Sequence, residues 1–439
     1  MTQLDHLYHQ HIDHLNLRYA AALQHHSLDA VVIHSGTARS RSTHDDQSWS
    51  LRVTPHFAHW LPLQAPDCAL VLRPGQRPLL AWCQPGSFWE GAPAPEHRLF
   101  EKHFDITVIK DLIELVPLLP AGRLAWLADE RDTAPSDRLT HHAELQRDLD
   151  ELRVHKTTYE VACIAEANAR AAAGHDELRR AFAAGGSVEL ELHLRYLLAT
   201  SQDDPETPYK NIVALGEHAA VLHHVAYGRG THPGEATSLL LDAGATCMGY
   251  HADITRTWLR GHGPGSDVFG ALVQGVESLQ QQLCQGVVVG RGYQDLHDES
   301  HLRVGQLLRE LGVVRGSAEE VVAKDITFAF YPHGLGHSLG LQTHDVGCAR
   351  ITPRTDNPWL RNTRKIEVGQ VFTIEPGVYF IPGLLEPLRQ GQHGQLVNWE
   401  LVDRLATFGG VRIEDDLYVG EHGVDNLTRI VLPSGGGVA

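Results

Sequence analysis

Leu239-Leu240-Leu241-Asp242-Ala243-Gly244, followed eleven residues after its aspartate by Asp253-Ile254-Thr255-Arg256-Thr257-Trp258, is the stretch from which the larger half of the chain can be read. The first run is apolar and ends on a carboxylate; the second opens on one. Two strands joined by a tight turn at Cys247-Met248 would set residues 242 and 253 directly opposite on one face, with Cβ atoms ~5 Å apart. Carboxylates that close repel each other unless protonated or bridged by a cation. The ordinary alternative is a pair of solvated turn aspartates.

Further along, Val371-Phe372-Thr373-Ile374-Glu375-Pro376-Gly377 and Val411-Arg412-Ile413-Glu414-Asp415 again end apolar strands on carboxylates. Between them and the first pair, Tyr331-Pro332-His333-Gly334-Leu335-Gly336-His337-Ser338-Leu339-Gly340-Leu341-Gln342-Thr343-His344-Asp345 sets three histidines among glycines that permit close backbone approach. Taken singly, each is as well read as an exposed acid or a Gly-rich surface loop. Taken together, they offer four carboxylates and one or more imidazoles, the ligand set of two divalent ions ~3.5–4 Å apart. Gly336-His337-Ser338-Leu339-Gly340 also matches the G-x-S-x-G elbow of serine hydrolases, with Ser338 as nucleophile. The elbow needs a strand before it and a helix after it, and neither flank suits.

The 439 residues suffice for two or three domains. Hydrophobic content of 42% and charged content of 21% are those of a globular protein. A net charge of -17 disfavours nucleic acid as a partner. The polar N-terminus is unlike a signal peptide, no apolar run approaches the ~20 residues of a membrane span, and the cysteines are scattered without a C-x-x-C pair. These features point to a cytoplasmic protein with reduced thiols.

Residues 1–153 read as a smaller α/β domain. It has a helix over 3–26, strands at Asp29–Ile33, Cys68–Leu72, Leu79–Cys83, Ile106–Ile109 and Arg123–Ala128, and helical stretches near 110–118 and 136–153. The pattern changes at Val154-His155-Lys156. Residues 154–439 read as an α+β domain: a long helix ended by Gly185-Gly186, a second helix capped by Ser187, helices near 266–286 and 293–311, and strands that include Thr327–Tyr331.

The set LLLDAG…DITRTW, HGLGHSLGLQTHD, TIEPG and VRIED resembles the motifs of the creatinase/aminopeptidase P/methionine aminopeptidase ("pita-bread") superfamily, and within it the bacterial Xaa-Pro dipeptidases. Tyr209–His223, and Val53–Trp60 followed by Ser87-Phe88-Trp89, are similar to that subgroup too. The resemblance implies a C-terminal pita-bread catalytic domain behind a smaller α/β domain. It also implies hydrolysis of Xaa-Pro dipeptides by a hydroxide bridging two divalent cations, with Mn²⁺ favoured and Co²⁺ or Zn²⁺ able to substitute. Asp242 would bind one metal, Asp253 and Glu414 would bridge both, and His337 and Glu375 would complete the second. The family's ligand histidine stands seven residues before a catalytic one, which assigns these roles to His337 and His344. His223, His333 and His344 would surround the substrate, and Glu375 would move the proton. Tyr209, Tyr379, Arg412 and Arg361 would line the substrate site, with Arg361 taking the free carboxylate. A homodimer whose N-terminal domain caps the neighbour's site is implied as well, as is side activity on organophosphorus triesters. Asp45-Asp46 and Trp60 would reach that site or be a turn and a core residue. Aminopeptidase P action on longer Xaa-Pro peptides is the nearest alternative.

Overall fold

The computed structural model describes residues 3–86, 98–231, 237–347 and 351–438; Ser87-Phe88-Trp89 and Cys348 lie outside the described residues. The chain divides into two units, Met1–Ala162 and Cys163–Ala439.

The first unit is built on a six-stranded sheet in the order Asp105–Ile109, Leu79–Cys83, Ala69–Leu72, Ala30–His34, Leu124–Leu127, Leu139–His141. Ala30–His34 is buried at every residue, antiparallel to 69–72 and parallel to 124–127, which explains its unbroken apolar reading. Residues 136–153 are not helical throughout. Leu139–His141 is an edge strand paired with Leu124–Trp126, and the helix begins only at Ala143. Three residues are too few to show a period of two, so the pairing partner sets this strand. Trp60 is a core residue, 1% exposed, and Asp45 accepts from the Gln47 backbone N–H in a turn.

In the second unit, four strands run Gly436–Val438, Thr255–Arg260, Thr237–Asp242, Ile212–Leu215. Val371–Ile374, Asp415–Gly420 and Gly423–Asn426 form a second sheet, and Gly377–Tyr379 pairs with Gly410–Arg412. Isolated bridges Thr255↔Glu414 and Ser338↔Phe372 tie these pieces together. The helix Ser266–Gln285 buries Phe269, Leu272, Val273, Val276, Leu279 and Leu283, a stripe at three- and four-residue spacing, in one core with Phe372, Ile374, Ile413 and Leu417. At ~1.5–3 kcal/mol per fully buried large apolar side chain, that stripe fixes the helix to the sheets behind the strand ends.

Three local expectations give way. The turn between the first two carboxylate strands is Met248-Gly249, both with positive φ (52° and 86°), as a two-residue hairpin of the primed type requires. Thr255, not Asp253, therefore faces Asp242. Asp253 is displaced by two residues along the strand, a diagonal neighbour at ~7–8 Å that still shares the face. Thr327–Tyr331 is not a strand: Ile326–Phe330 is a short helix that buries Ile326, Thr327 and Phe330, a short apolar run being open to either reading. The helix Glu189–Thr200 takes Val188 as its N-cap, without a side-chain bond from Ser187.

Buried neutral histidines set an acid limit on the fold. Burial is the main cause that brings His11 to about 4 and His175 and His301 to about 3, against an ordinary 6.5. His175 spends its Nε2–H on the Ala243 carbonyl at 2.9 Å. With native values depressed, the unfolded chain takes up protons first as pH falls below 6.5. Stability present above that pH is then lost progressively toward pH 3–4, by up to roughly 3–5 kcal/mol per histidine at about 1.4 kcal/mol per unit. A thermal melt followed by circular dichroism should show Tm falling steeply between pH 6.5 and 4.5; a flat Tm would contradict this.

Candidate metal centre

Three of the four acids of the cluster are delivered by strand ends, and Asp253 lies in the link between Tyr250–His251 and Thr255–Arg260. Asp242 closes Thr237–Asp242, Glu375 follows Val371–Ile374, and Glu414 sits between Gly410–Arg412 and Asp415–Gly420. His337 is brought in by the Gly-rich segment. Its backbone N–H donates to Thr373 Oγ1 at 3.1 Å, and the Thr373 N–H donates to the His337 carbonyl at 2.9 Å. Gly336 allows this approach, because a Cβ there would collide with the Thr373 carbonyl oxygen and the Tyr293 hydroxyl.

Asp253, His337 and Glu414 each offer a ligand-capable atom within 4.8 Å of the others. His337 Nε2 lies 3.3 Å from Asp253 Oδ2, 3.7 Å from Glu375 Oε1 and 3.8 Å from Glu414 Oε1. Its Nδ1–H is spent on the Ser338 carbonyl at 3.1 Å, which fixes the tautomer and turns Nε2 toward the acids, the arrangement of a metal-ligating histidine. Asp242 joins the cluster through Tyr209, whose hydroxyl contacts Asp242 Oδ1 at 2.7 Å and also meets Asp253 Oδ1. Arg412 holds the other Asp242 oxygen at 2.6 Å and donates to the Tyr379 hydroxyl at 2.8 Å.

The electrostatics are those of an excess of buried negative charge. Four carboxylates face Arg412 and, when protonated, His337. Burial, then Asp253, Glu375 and Asp242, push the Glu414 carboxyl well above its ordinary range. Burial is the main cause that takes Glu375 up to about 7, and burial raises Asp242 against the opposing pull of Arg412. Burial also acts against Asp253 and His337, but their mutual contact prevails: Asp253 is lowered and His337 rises to about 9. A proton therefore sits on His337 where a cation could sit. The donor set fits hard or borderline divalent ions: four carboxylates and one oriented imidazole, with uncompensated charge to neutralise.

The other expected residues are distributed around this cluster. His344 stacks edge-on against His337 with ring centroids 4.5 Å apart, and burial followed by the charges of His337 and Arg361 lowers it to about 3. His333 donates from Nδ1 to the Gly334 carbonyl at 2.8 Å and accepts the Tyr379 hydroxyl on Nε2 at 2.8 Å, so both ring nitrogens are engaged here. Arg361 and His223 are exposed. Ser338 lies in an extended segment bridged to Phe372, with no helix following, so the elbow context is absent.

Two supporting residues were missed. Thr255 donates to Glu414 Oε2 at 2.6 Å, and Asp416 accepts the Asp253 N–H at 3.0 Å. The run Glu414-Asp415-Asp416 carried the signal. A two-residue period sends Glu414 and Asp416 to one side, and Asp415 to Arg256 at 2.9 Å on the other.

Residues 162–421 match the family model for metallopeptidase family M24, and residues 6–153 match that for the Xaa-Pro dipeptidase N-terminal domain. The chain is 42% identical to a Xaa-Pro dipeptidase of Marinobacter nauticus, covering 95% of this chain and 96% of that one. It is 38% identical to a Xaa-Pro dipeptidase of Pseudoalteromonas atlantica, covering 98% and 99%. Among solved structures it resembles proline aminopeptidase P II from Yersinia pestis, with TM-score 0.74, 23% identity and coverage of 99% and 98%. It also resembles a zinc-substituted aminopeptidase P of E. coli in complex with product, with TM-score 0.72, 21% identity and coverage of 96% and 95%. The fold is thus the pita-bread α+β architecture, preceded in the chain by a smaller N-terminal domain.

Proposed function

The chain belongs to metallopeptidase family M24, in the branch marked by the Xaa-Pro dipeptidase N-terminal domain, and from that premise we propose that it hydrolyses Xaa-Pro dipeptides at a centre of two divalent cations. The observation that carries the reading is the convergence of Asp253, His337 and Glu414 within 4.8 Å, with Glu375 beside them. Asp242, Asp253, His337, Glu375 and Glu414 would hold the ions, Mn²⁺ being favoured by the carboxylate-rich set. When bound, the ions supply a water of lowered pKa and polarise the scissile carbonyl.

The remaining work falls to the chain. Glu375 takes a proton and returns it to the leaving nitrogen; its inclination to hold one is visible in the upward shift to about 7. His344, neutral at pH 7 with its value near 3, keeps an N–H for the developing oxyanion. Arg361 pairs with the dipeptide's free carboxylate. An Xaa-Pro nitrogen carries no hydrogen, so a site that grips carbonyl and carboxylate loses nothing with proline. A longer peptide would set a neutral carbonyl against Arg361 and be disfavoured. Organophosphorus triesters, which also pass through a charged, crowded centre, are proposed side substrates. The residue 1–153 domain caps the partner's site in a cytoplasmic homodimer.

Mn²⁺-loaded protein is expected to cleave glycyl-proline at least ~100-fold better than glycyl-prolyl-alanine, and excess EDTA should abolish both activities. Tripeptide preference would make the protein an aminopeptidase P. Undiminished activity in EDTA with loss to a fluorophosphonate would return the reaction to Ser338.

A further inference from the structure

Glu189 is the first residue of the helix Glu189–Thr200, yet it is only 2% exposed and takes no part in the metal cluster. Both its oxygens are filled. Oε1 accepts the Leu215 N–H at 2.9 Å and His218 Nδ1–H at 2.7 Å; Oε2 accepts His224 Nε2–H at 2.8 Å and the Gly228 N–H at 2.6 Å. Despite burial, these donors hold its carboxyl below the ordinary range, so it stays ionised. The donors all come from one segment, residues 215–228. Two precede His223 in sequence and two follow it, and the rings of His218 and His224 stack at 4.5 Å across the carboxylate. The first part of that segment lies against the strand that carries Arg412: a Cβ on Gly409 would collide with the Gly216 carbonyl oxygen, and one on Gly410 would lie 3.2 Å from the Ala219 carbonyl oxygen.

His223, at the crest of the segment, is exposed and makes no hydrogen bond among the described residues. It lies near enough to influence both His333 and His344 electrostatically. Four hydrogen bonds to one buried carboxylate are far more than a surface loop needs to stay in place. We infer that Glu189 is a positioning residue which clamps residues 215–228 from both sides of His223 and thereby holds that imidazole over the bound dipeptide. The inference rests on the dipeptidase reading. A cation bound by Glu189, His218 and His224, whose ligand-capable atoms lie within 4.8 Å of one another, is the competing occupant; two backbone N–H donors already on the carboxylate favour the clamp.

The test is a double-mutant cycle in the full-length, Mn²⁺-loaded enzyme with glycyl-proline. Glu189→Gln keeps the shape but turns an amide NH₂ toward two of the four donors. It should lower kcat/KM about 10- to 100-fold, chiefly through kcat, with the metal content of the wild type. Glu189→Gln/His223→Ala should be no worse than His223→Ala, because the clamp acts through that ring. Multiplicative losses would overturn the inference, as would a Glu189→Gln protein short of one metal equivalent. Amide hydrogen exchange gives a readout independent of turnover: residues 216–227 should exchange at least ~10-fold faster in Glu189→Gln, and unchanged protection would also overturn it. A wild-type enzyme inert on glycyl-proline would remove the dipeptidase reading, and the clamp would then stand or fall on exchange alone.

Discussion

Glu414→Gln is expected to abolish hydrolysis of glycyl-proline while making the metal-free protein more stable. The loss should be on the order of 10³-fold or more in kcat, about 4 kcal/mol of barrier. It should come with fewer than two metal equivalents bound, because Gln at 414 cannot bring a charge to a shared ligand position. The gain in stability follows from linkage. Burial and the neighbouring acids hold the Glu414 carboxyl well above its ordinary range, so in the metal-free protein its stabilising contribution is full only below the unfolded value near 4.5. That contribution is lost as pH rises through the folded value. A neutral Gln still accepts the Thr255 hydroxyl and removes the penalty. At pH 8 the metal-free variant should melt at least ~2 °C above the metal-free wild type, and the order should reverse once Mn²⁺ is added. A metal-free variant less stable than wild type would mean that the cluster is not electrostatically frustrated, and the argument for cations would fail with it.

Arg412→Met should act in the opposite sense. Arg412 is 4% exposed and holds Asp242 at 2.6 Å and the Tyr379 hydroxyl at 2.8 Å. Removing one partner of a buried ion pair costs about 3–5 kcal/mol, since the other charge is left without compensation. Metal-free Arg412→Met is therefore expected to be severely destabilised. Mn²⁺ should restore much of the loss, because a cation beside Asp242 replaces the missing charge. Activity should remain about 10²-fold low even when loaded, because the Arg412–Tyr379–His333 chain is cut. Denaturant unfolding with and without Mn²⁺ measures the difference. Equal destabilisation in both states would show that Asp242 does not face a metal.

How much of this was legible in the sequence depended on the distance over which each cause acts. The strand-end acids were visible because an apolar run that stops on a carboxylate is a local pattern. The helix Ser266–Gln285 was visible because its buried stripe repeats at helical spacing. The register of the first two strands was misread by one residue in the turn, since Met248 in a left-handed conformation has no local signature; Gly249 alone did not say on which side of it the turn began. Ile326–Phe330 became a helix because its buried face is set by neighbours far away in sequence. Thr255 was invisible for the same reason, its role existing only once two sheets meet at Glu414, whereas the alternation in Glu414-Asp415-Asp416 did carry a sign of Asp416. Glu189 sits in the first turn of its helix, where an acid is ordinary, and nothing nearby announced that residues 215–228 would close over it.

The two-residue link at Met248-Gly249 has a bearing on how this hairpin tolerates change in length. Because successive side chains alternate between sides, adding or deleting a single residue in either arm between Asp242 and Asp253 would send one of the two acids to the opposite side and leave the other behind. Balanced insertion of one residue on each arm would lengthen the ribbon and leave Asp242 opposite Thr255. Graftable variation is therefore confined to changes that keep the parity of the ladder: equal additions to both arms, or another two-residue link at the tip, such as Asn-Gly.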